Sequence, residues 1–314
     1  MPTNNFIKPD YIIRNYRSSD FDEFAQLYNL LEKAGSAGQF ISPEDINEHL
    51  KQPGYSPADD LFLADINGEI VGYLDIKPEI TIKRAICHCW VTPQQRRRGI
   101  GRELFKKALC RAGNIKAKII HVEVAEDNVI ASAFLSELDF KMIRQFLELR
   151  LDLTATELPN ITVANIKCRP LRYDEVAKLT RIQNSAFNKH WGFNPNTEEE
   201  IIYRLHSHNY SQGDIILACD GDTIAGYCWT QMVCDGESAK QKEGRICMLG
   251  VTHSYRYQGI GKILLSAGLS RIKDNDATIA RLIVDSENKI ACELYKSFGF
   301  RQSGATIWYE KPVD

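Results

Sequence analysis

The sequence predicts an α/β protein made of two copies of one folding unit, and three observations support that prediction. The pattern R-x-x-G-x-G occurs at Arg96–Gly101 and again 160 residues later, at Arg256–Gly261. An asparagine follows each copy at the same distance, at Asn128 and Asn288. Both halves also show one order of elements: strand, helices, strands, glycine loop, helix, strand, helix and strands. The chain of 314 residues is long enough for two domains that each bury a core.

In the first half, polar capping residues mark a helix start and Asn67-Gly68 marks a hairpin turn between two strands. Apolar residues at helical spacing follow the glycine loop. The predicted elements are strand Tyr11–Asn15, a helix capped by Ser18-Ser19-Asp20, strands Leu61–Asp65, Ile70–Ile76, Ala85–Val91 and Ile119–Val124, and helix Val129–Leu138.

The second half repeats this order with about six additional residues before its glycine loop. They fall in the polar stretch Cys234–Gly244, which we predict to be a lengthened loop. A linker at 154–163 divides the chain into domains 1–153 and 164–314. The predicted elements are strand Ile166–Leu171, helix Glu175–Phe187, and strands Asp214–Cys219, Thr223–Gln231 and Arg245–Val251.

Composition and charge restrict the class of protein. A net charge of −2 gives no sign of a nucleic-acid or membrane partner. Nine cysteines include no C-x-x-C pair, and Cys87-His88-Cys89 has no second ligand pair, so we expect reduced thiols and no metal. The N-terminus lacks the features of a signal peptide, which favours a cytoplasmic protein. The oligomeric state is left open.

The two glycine loops predict anion binding. Glycines let the backbone turn tightly, and free amides at a helix start attract phosphate. A dinucleotide fold would place G-x-G-x-x-G after its first strand. Here a basic residue leads the motif, which follows the fourth strand, so a pyrophosphate such as that of coenzyme A is favoured over a nicotinamide cofactor.

Together with Asn288, Ala291 and the segment Leu294–Phe300, the second loop resembles motifs A and B of the GNAT acetyltransferases. Tandem chains of this length, with a degenerate first copy, are similar to the mycothiol synthase group of that family. The resemblance implies two GNAT domains, each an α/β fold with a mixed, splayed sheet. Acetyl-CoA would lie where two parallel central strands separate.

The resemblance also implies the residues that hold the coenzyme and donate a proton. Tyr295 matches the tyrosine that protonates the departing thiolate, although a core aromatic is the alternative. The predicted coenzyme-binding residues of the second half are Leu249, Gly250, Val251, Arg256, Tyr257, Gln258, Gly259, Ile260, Gly261, Lys262 and Asn288. Those of the first half are Val91, Arg96, Arg97, Arg98, Gly99, Ile100, Gly101 and Arg102.

The halves differ where chemistry is expected, because Leu135 stands in the first copy where Tyr295 stands in the second. Leucine cannot donate a proton. We therefore predict that domain 1–153 is degenerate and inactive but binds coenzyme, and that domain 164–314 is catalytic.

The acceptor and its base are predicted less directly. Family resemblance places a glutamate near Arg245, and Glu243, two residues earlier on the same strand face, is the candidate base; a solvated glutamate is the alternative. His190 and Trp191 are candidate acceptor-binding residues, or else they belong to an aromatic turn that packs one helix on another.

The resulting prediction is an acetyl-CoA-dependent N-acetyltransferase acting on a small-molecule primary amine. The alternatives are transfer to an antibiotic, polyamine or peptide amine, or a non-catalytic acyl-CoA sensor.

Overall fold

The computed structural model confirms the predicted mixed α/β architecture, and its contacts divide the chain into two compact units. The first unit runs up to Val124 and adds Asn128–Met142 and the chain from Trp308 onward. The second combines Ala125–Asp127 with Ile143–Ile307. The residues that the structure describes are 10–34, 42–207, 211–233 and 242–313.

The first repeat begins with a strand, and the predicted cap Ser18–Asp20 forms a short turn before the first helix, in which Asp20 accepts a hydrogen bond of 2.7 Å from the amide of Arg17. Later helices also begin at side-chain caps. Ser42, for example, starts α2 by accepting a hydrogen bond of 3.1 Å from the amide of Asp45. Its elements are β1 (Ile12–Asn15), α1 (Phe21–Ala34), α2 (Pro43–Leu50), α3 (Pro57–Asp60), β2 (Leu61–Ile66), β3 (Glu69–Glu79), β4 (Arg84–Val91), α4 (Ile100–Asn114), β5 (Ile119–Ala125), α5 (Val129–Glu137) and β6 (Lys141–Asp152).

The second repeat has nearly the same order of elements, which supports the duplication predicted from the glycine loops. Two helices again precede the antiparallel strands, although no third short helix is found there among the described residues. Its elements are β7 (Ile166–Pro170), α6 (Val176–Phe187), α7 (Glu198–Leu205), β8 (Ile215–Asp220), β9 (Thr223–Val233), β10 (Glu243–Val251), α8 (Ile260–Asp274), β11 (Ile279–Asp285), α9 (Lys289–Ser297) and β12 (Arg301–Pro312).

The repeats exchange their last strands. In the second unit β6 pairs antiparallel with β11, from Phe146↔Asp285 to Asp152↔Ile279. In the first unit the end of β12 lies beside β5, where Glu310 contacts His121 at 2.9 Å. Backbone pairing therefore places most of β6 in the second unit, although β6 precedes the linker at 154–163.

The six additional residues of the second repeat divide into two sets. Val233 pairs with Glu243 as Glu79 pairs with Arg84, so five of the six lie between β9 and β10. Residues 234–241 of the predicted loop lie outside the described residues. The sixth is Cys247, because the register of β10 shifts between Ile246 and Met248. A residue added on one strand of an antiparallel pair makes a β-bulge.

Apolar faces of the helices form the cores on which the sheets rest. In the first unit Phe24 of α1 is 1% exposed and packs among apolar residues of β2 and β3. In the second unit α8 buries Leu264, Leu265 and Leu269 completely in its core cluster. Both glycine loops lead directly into a buried helix, so packing fixes their position.

Candidate active site

Two parallel strands separate in each unit, and the opening between them is the candidate site. In the second unit β10 and β11 are in register only as far as Arg245↔Arg281, although both strands continue. In the first unit β4 and β5 are in register only as far as Cys87↔Val122. We call these openings the second cleft and the first cleft. Strand edges that separate leave backbone groups available to an extended ligand.

The bulge distinguishes the second cleft from the first. Cys247 is the unregistered residue of β10, whereas β3 and β4 pair without interruption from Gly72↔Val91 to Glu79↔Arg84. Leu249, Gly250 and Val251 follow the bulge and pair with β9 on their other side. A bulge redirects backbone groups, so β10 and β4 present different donors to their clefts.

The leading arginine of each glycine motif folds back onto its own strand. Nε of Arg256 donates to the carbonyl of Val251 at 3.3 Å, and its Nη2 donates to the carbonyl of Ala186 at 2.9 Å. Nε of Arg96 donates to the carbonyl of Val91 at 3.0 Å. These two side chains therefore brace the loops, and the amides of Arg256 and Arg96 donate to the carbonyls of His253 and Pro93 at 3.4 Å, so their direct contact with coenzyme stays a prediction.

Glycine is required at the turn into each helix. Gly259 and Gly99 precede α8 and α4 with φ of 84° and 86°, a conformation that disfavours other residues. Tyr257 and Arg97 also have positive φ, at 63° and 64°. This shared backbone geometry confirms that the two hexapeptides form the same turn.

The second loop presents amides to solvent. Within the described chain, the amides of residues 257–259 donate to no backbone oxygen. Ile260 and Gly261 open α8, and their amides also donate to no backbone oxygen of the described chain, whereas the amide of Lys262 donates to the carbonyl of Gly259 at 3.0 Å. Gln258 and Tyr257 are exposed beside them. Such a row of free amides at a helix start is suited to a phosphate group.

The first loop, with Gly99, Ile100 and Gly101, carries more positive charge. Arg98 is bonded to Gln95 and Asp10. Arg97 and Arg102 are exposed, and Arg102 lies 3.6 Å from Glu137. Its charge and amides both favour an anion.

The two asparagines serve as helix caps. Oδ1 of Asn288 accepts from the amide of Ala291 at 3.2 Å, and Oδ1 of Asn128 accepts from the amide of Ala131 at 3.1 Å. Capping accounts for an asparagine at this position in both repeats. A contact between Asn288 and coenzyme stays a prediction. The side-chain NH2 group of Asn288 would have to make that contact, because Oδ1 is used by the cap.

Tyr295 lies in the second core, with its ring near Phe300 at 5.9 Å between centroids. It is 7% exposed and Leu135 is 2% exposed, so both repeats bury this position. Burial raises the pKa of Tyr295 above its ordinary value, with smaller contributions from neighbouring thiols. The phenol therefore keeps its proton at neutral pH and can act only as an acid there.

Glu243, the predicted base, is held by an arginine. Its Oε2 and Oε1 accept from Nε and Nη2 of Arg281 at 2.6 and 3.0 Å. It stands at the start of β10, about 20 Å along the strand from Leu249. By register its counterpart is Arg84, which contacts His121 at 3.3 Å, so both units place a polar pair here. A role of Glu243 as general base stays a prediction.

His190 and Trp191 lie beyond the end of α6 and close to the second cleft. The ring of His190 packs on Phe187 at 4.7 Å, and Phe187 also lies 3.0 Å from the position of a Cβ on Gly250. Desolvation, followed by the charge of Arg256, lowers the pKa of His190, and Asp285 opposes this. His190 is therefore neutral at pH 7 and can accept a proton or a hydrogen bond.

Two residues beside Trp191 were missed from the sequence. The guanidinium of Arg144 lies 5.7 Å from the Trp191 ring and bonds both oxygens of Asp285, and Phe146 lies 6.0 Å from the same ring. Arg144 and Phe146 belong to β6, so only the strand exchange brings them here. No local pattern in the sequence indicates it.

Among the described residues there is no group of three metal-ligating side chains, and no described helix is long and apolar enough to cross a membrane.

Comparisons with known proteins agree with this geometry. The model of the acetyltransferase (GNAT) family matches residues 24–140 and 176–300. Curated relatives include mycothiol acetyltransferases of Nocardia farcinica, 26% identical over 91% of this chain and 94% of its own length, and of Rhodococcus erythropolis, 28% identical over 79% and 84%.

Solved structures with the same fold include a GCN5-related N-acetyltransferase from Sphaerobacter thermophilus, with a TM-score of 0.76, 19% identity and coverage of 98% of this chain and 96% of that one. A tandem GNAT protein from the clavulanic acid biosynthesis pathway has a TM-score of 0.76, 15% identity and coverage of 97% and 99%. The fold is therefore shared along nearly the whole length of both proteins.

Proposed function

Because this chain belongs to the GNAT acetyltransferase family, we propose that its second unit transfers an acetyl group from acetyl-CoA to a primary amine of a small molecule. Family membership confirms the prediction of an N-acetyltransferase and of two tandem repeats. The observation that carries the assignment to the second unit is the combination of bulged β10 and Tyr295, since the first unit has an uninterrupted β4 and Leu135.

Both units have the residues to hold a coenzyme. The free amides that open α8 and α4 fit a pyrophosphate, and the free edge of β10 or β4 fits an extended amide-containing arm. Acetyl-CoA would supply the acetyl group as a thioester. We propose that the first unit also binds coenzyme, because its loop has the same backbone and three additional arginines at or beside the motif.

In the second cleft each proposed protein group has one task. Backbone amides of β10 beside the bulge would stabilise negative charge on the acetyl oxygen. Tyr295 would donate its proton to the departing sulfur. With Glu243 held by Arg281, His190 is the group that would take the proton released by the amine, because it is neutral at pH 7.

The acceptor is proposed to be a small molecule because the curated relatives are named mycothiol acetyltransferases. The residues near the second cleft bear on the chemical character of the acceptor. Ile283 is 63% exposed on β11, and Trp191 and Phe146 lie on the same side of the unit as Asp285. These apolar surfaces suit an amine that carries an apolar group.

Release of coenzyme A thiol from acetyl-CoA, measured with a panel of amines, tests the proposal. Tyr295→Phe should lower kcat on the order of 10²-fold or more. Tyr309→Phe is the matched control, since Tyr309 is 8% exposed and undergoes the same chemical change outside the cleft. If no amine is acetylated while both units bind acetyl-CoA tightly, the chain is an acyl-CoA sensor. Full activity of Tyr295→Phe would remove the tyrosine from the mechanism.

A further inference from the structure

At three equivalent positions the first unit has ionisable side chains and the second unit has apolar ones. His88 is opposite Asp75 in the β3–β4 pair, and Met248 is opposite Trp229 in the β9–β10 pair. His88 and Met248 thus occupy equivalent positions. His88 is the residue of β4 that follows the last registered pair, Cys87↔Val122. Glu123 of β5 lies across from His88, and its counterpart 160 residues later is Ile283.

His88 and Glu123 face each other across the opening. Nδ1 of His88 lies 4.0 Å from Oε1 of Glu123, and the two side chains are 44% and 40% exposed. Both remain accessible to a ligand that enters between β4 and β5. Catalytic hydrogen bonds are often long in unliganded proteins, so this distance is compatible with a working pair.

Behind His88 lies a buried carboxylate. Asp75 is 5% exposed and accepts hydrogen bonds of 2.7 Å from Nε2 of His49 and from the hydroxyl of Tyr55. Nε2 of Gln52 lies 3.1 Å from Nδ1 of His49 on the other side of that ring. Burial alone would raise the pKa of Asp75, but the bonds from His49 and Tyr55 outweigh it and lower that pKa. Asp75 is thus the cross-strand neighbour of His88 in the β3–β4 pair, and Glu123 lies on the other side of His88 across the cleft.

The fold itself does not require these groups. The second unit builds the same positions from Met248, Trp229 and Ile283, and buries Trp229 to 2% exposure. A buried charge with its hydrogen-bond donors is more costly than an apolar core. Asp75, His88 and Glu123 thus lie in the first unit, where Leu135 replaces the tyrosine proposed as the acid of the second unit.

We propose that the first unit is a second acetyl-transfer site, in which His88, flanked by Glu123 and Asp75, acts as the general base for a small cationic amine. This inference rests on coenzyme binding by the first unit, one part of the proposed function. It replaces the expectation that domain 1–153 is inactive. The carboxylate of Glu123 would attract the ammonium form of the acceptor as it enters the first cleft.

The step balances without a phenol at the position of Leu135. The ammonium group loses one proton to solvent, and the free amine attacks the acetyl carbon. As the C–N bond forms, His88 takes a second proton from nitrogen. The C–S bond then breaks with its electron pair on sulfur, and the thiolate is protonated by the imidazolium of His88 or by water. Leu135 is tolerated because a thiol is a good leaving group, with a pKa near 8.5.

The test isolates the first unit in the full chain. Tyr295→Phe combined with Gly261→Asp removes the proposed acid and charges the phosphate loop of the second unit. In that background we expect amine-dependent thiol release to persist, to fall on the order of 10²-fold with His88→Met, and to fall by less with Glu123→Gln. Methionine is the matched replacement, because Met248 occupies the equivalent position. Coenzyme binding by the first unit should be unchanged in both variants.

Two results would overturn the inference: a background with no amine-dependent thiol release across the panel, or a release that His88→Met leaves intact. Failure of the proposed function has a different signature. If Tyr295→Phe in the wild-type chain leaves turnover unchanged and His88→Met abolishes it, catalysis by the second unit is refuted and catalysis by the first unit is supported.

Discussion

Replacing Gly261 by Asp introduces a carboxylate into the second glycine loop and should remove coenzyme binding from the second unit alone. Gly261 is the second residue of α8, where an acidic side chain is favourable to the helix by about 0.3–1 kcal/mol. A Cβ at Gly261 would lie 3.4 Å from Leu294, an ordinary contact. The variant is therefore expected to fold.

The magnitude follows from charge repulsion. A carboxylate about 5 Å from a phosphate is repelled by about 3 kcal/mol at an effective dielectric constant of 20, and by about half of that near solvent. With two phosphate groups in the pyrophosphate, a loss of about 2–3 kcal/mol is expected. That corresponds to binding roughly 30- to 150-fold weaker.

Titration calorimetry with coenzyme A measures both affinity and stoichiometry. Wild-type protein should bind two equivalents, and Gly261→Asp should retain one tight site. Gly261→Ala is the steric control and should bind like the wild type, because it adds the Cβ without the charge. If Gly261→Asp binds coenzyme as Gly261→Ala does, the phosphate site is not at this loop and the reasoning from free amides is refuted.

Three further outcomes are expected. Glu243→Gln should leave kcat/KM nearly unchanged, whereas the loss of a general base lowers the rate about 10²- to 10⁴-fold. The substitution should instead lower the free energy of unfolding by about 1–3 kcal/mol, because the ion pair with Arg281 is lost. Hydrogen bonds from Arg169 lower the pKa of Glu175, so that carboxylate stabilises the fold above its ordinary pKa of about 4.3 and loses the effect as pH falls through the lower folded value. Urea unfolding of Glu175→Gln should accordingly show a deficit at pH 7 that vanishes near pH 2. Tyr295→Phe keeps its ring in the core and should change the free energy of unfolding by less than about 0.5 kcal/mol, which separates its effect on activity from misfolding.

Local patterns predicted the elements well because short-range physics decides them. The glycine turns at Gly99 and Gly259 need positive φ, which few residues other than glycine adopt readily. The spacing of Asn128 and Asn288 is visible in the sequence, but their role as helix caps, each bonding an amide three residues away, was found only in the structure. The glycine turns depend on neighbours in the chain, so the sequence alone was sufficient to place them.

The contacts that the sequence did not reveal depend on partners far along the chain. Glu243 is predicted as a base from strand alternation, and its ion pair with Arg281, 38 residues later, is visible only in the structure. Arg144 was missed because the strand that carries it pairs with the other repeat. His88 was read only as part of a possible metal pattern, since its neighbours Asp75 and Glu123 come together through pairing.

The sequence by itself determined the duplication, the two glycine loops and the single difference between Leu135 and Tyr295, since these are properties of residue types at fixed spacing. Tertiary structure alone decided the rest. The bulge at Cys247 and the exchanged last strands result from register, and register is set by pairing between distant segments. The same pairing places carboxylates around His88 and apolar groups around Met248, so the two clefts differ in chemistry although their loops are alike.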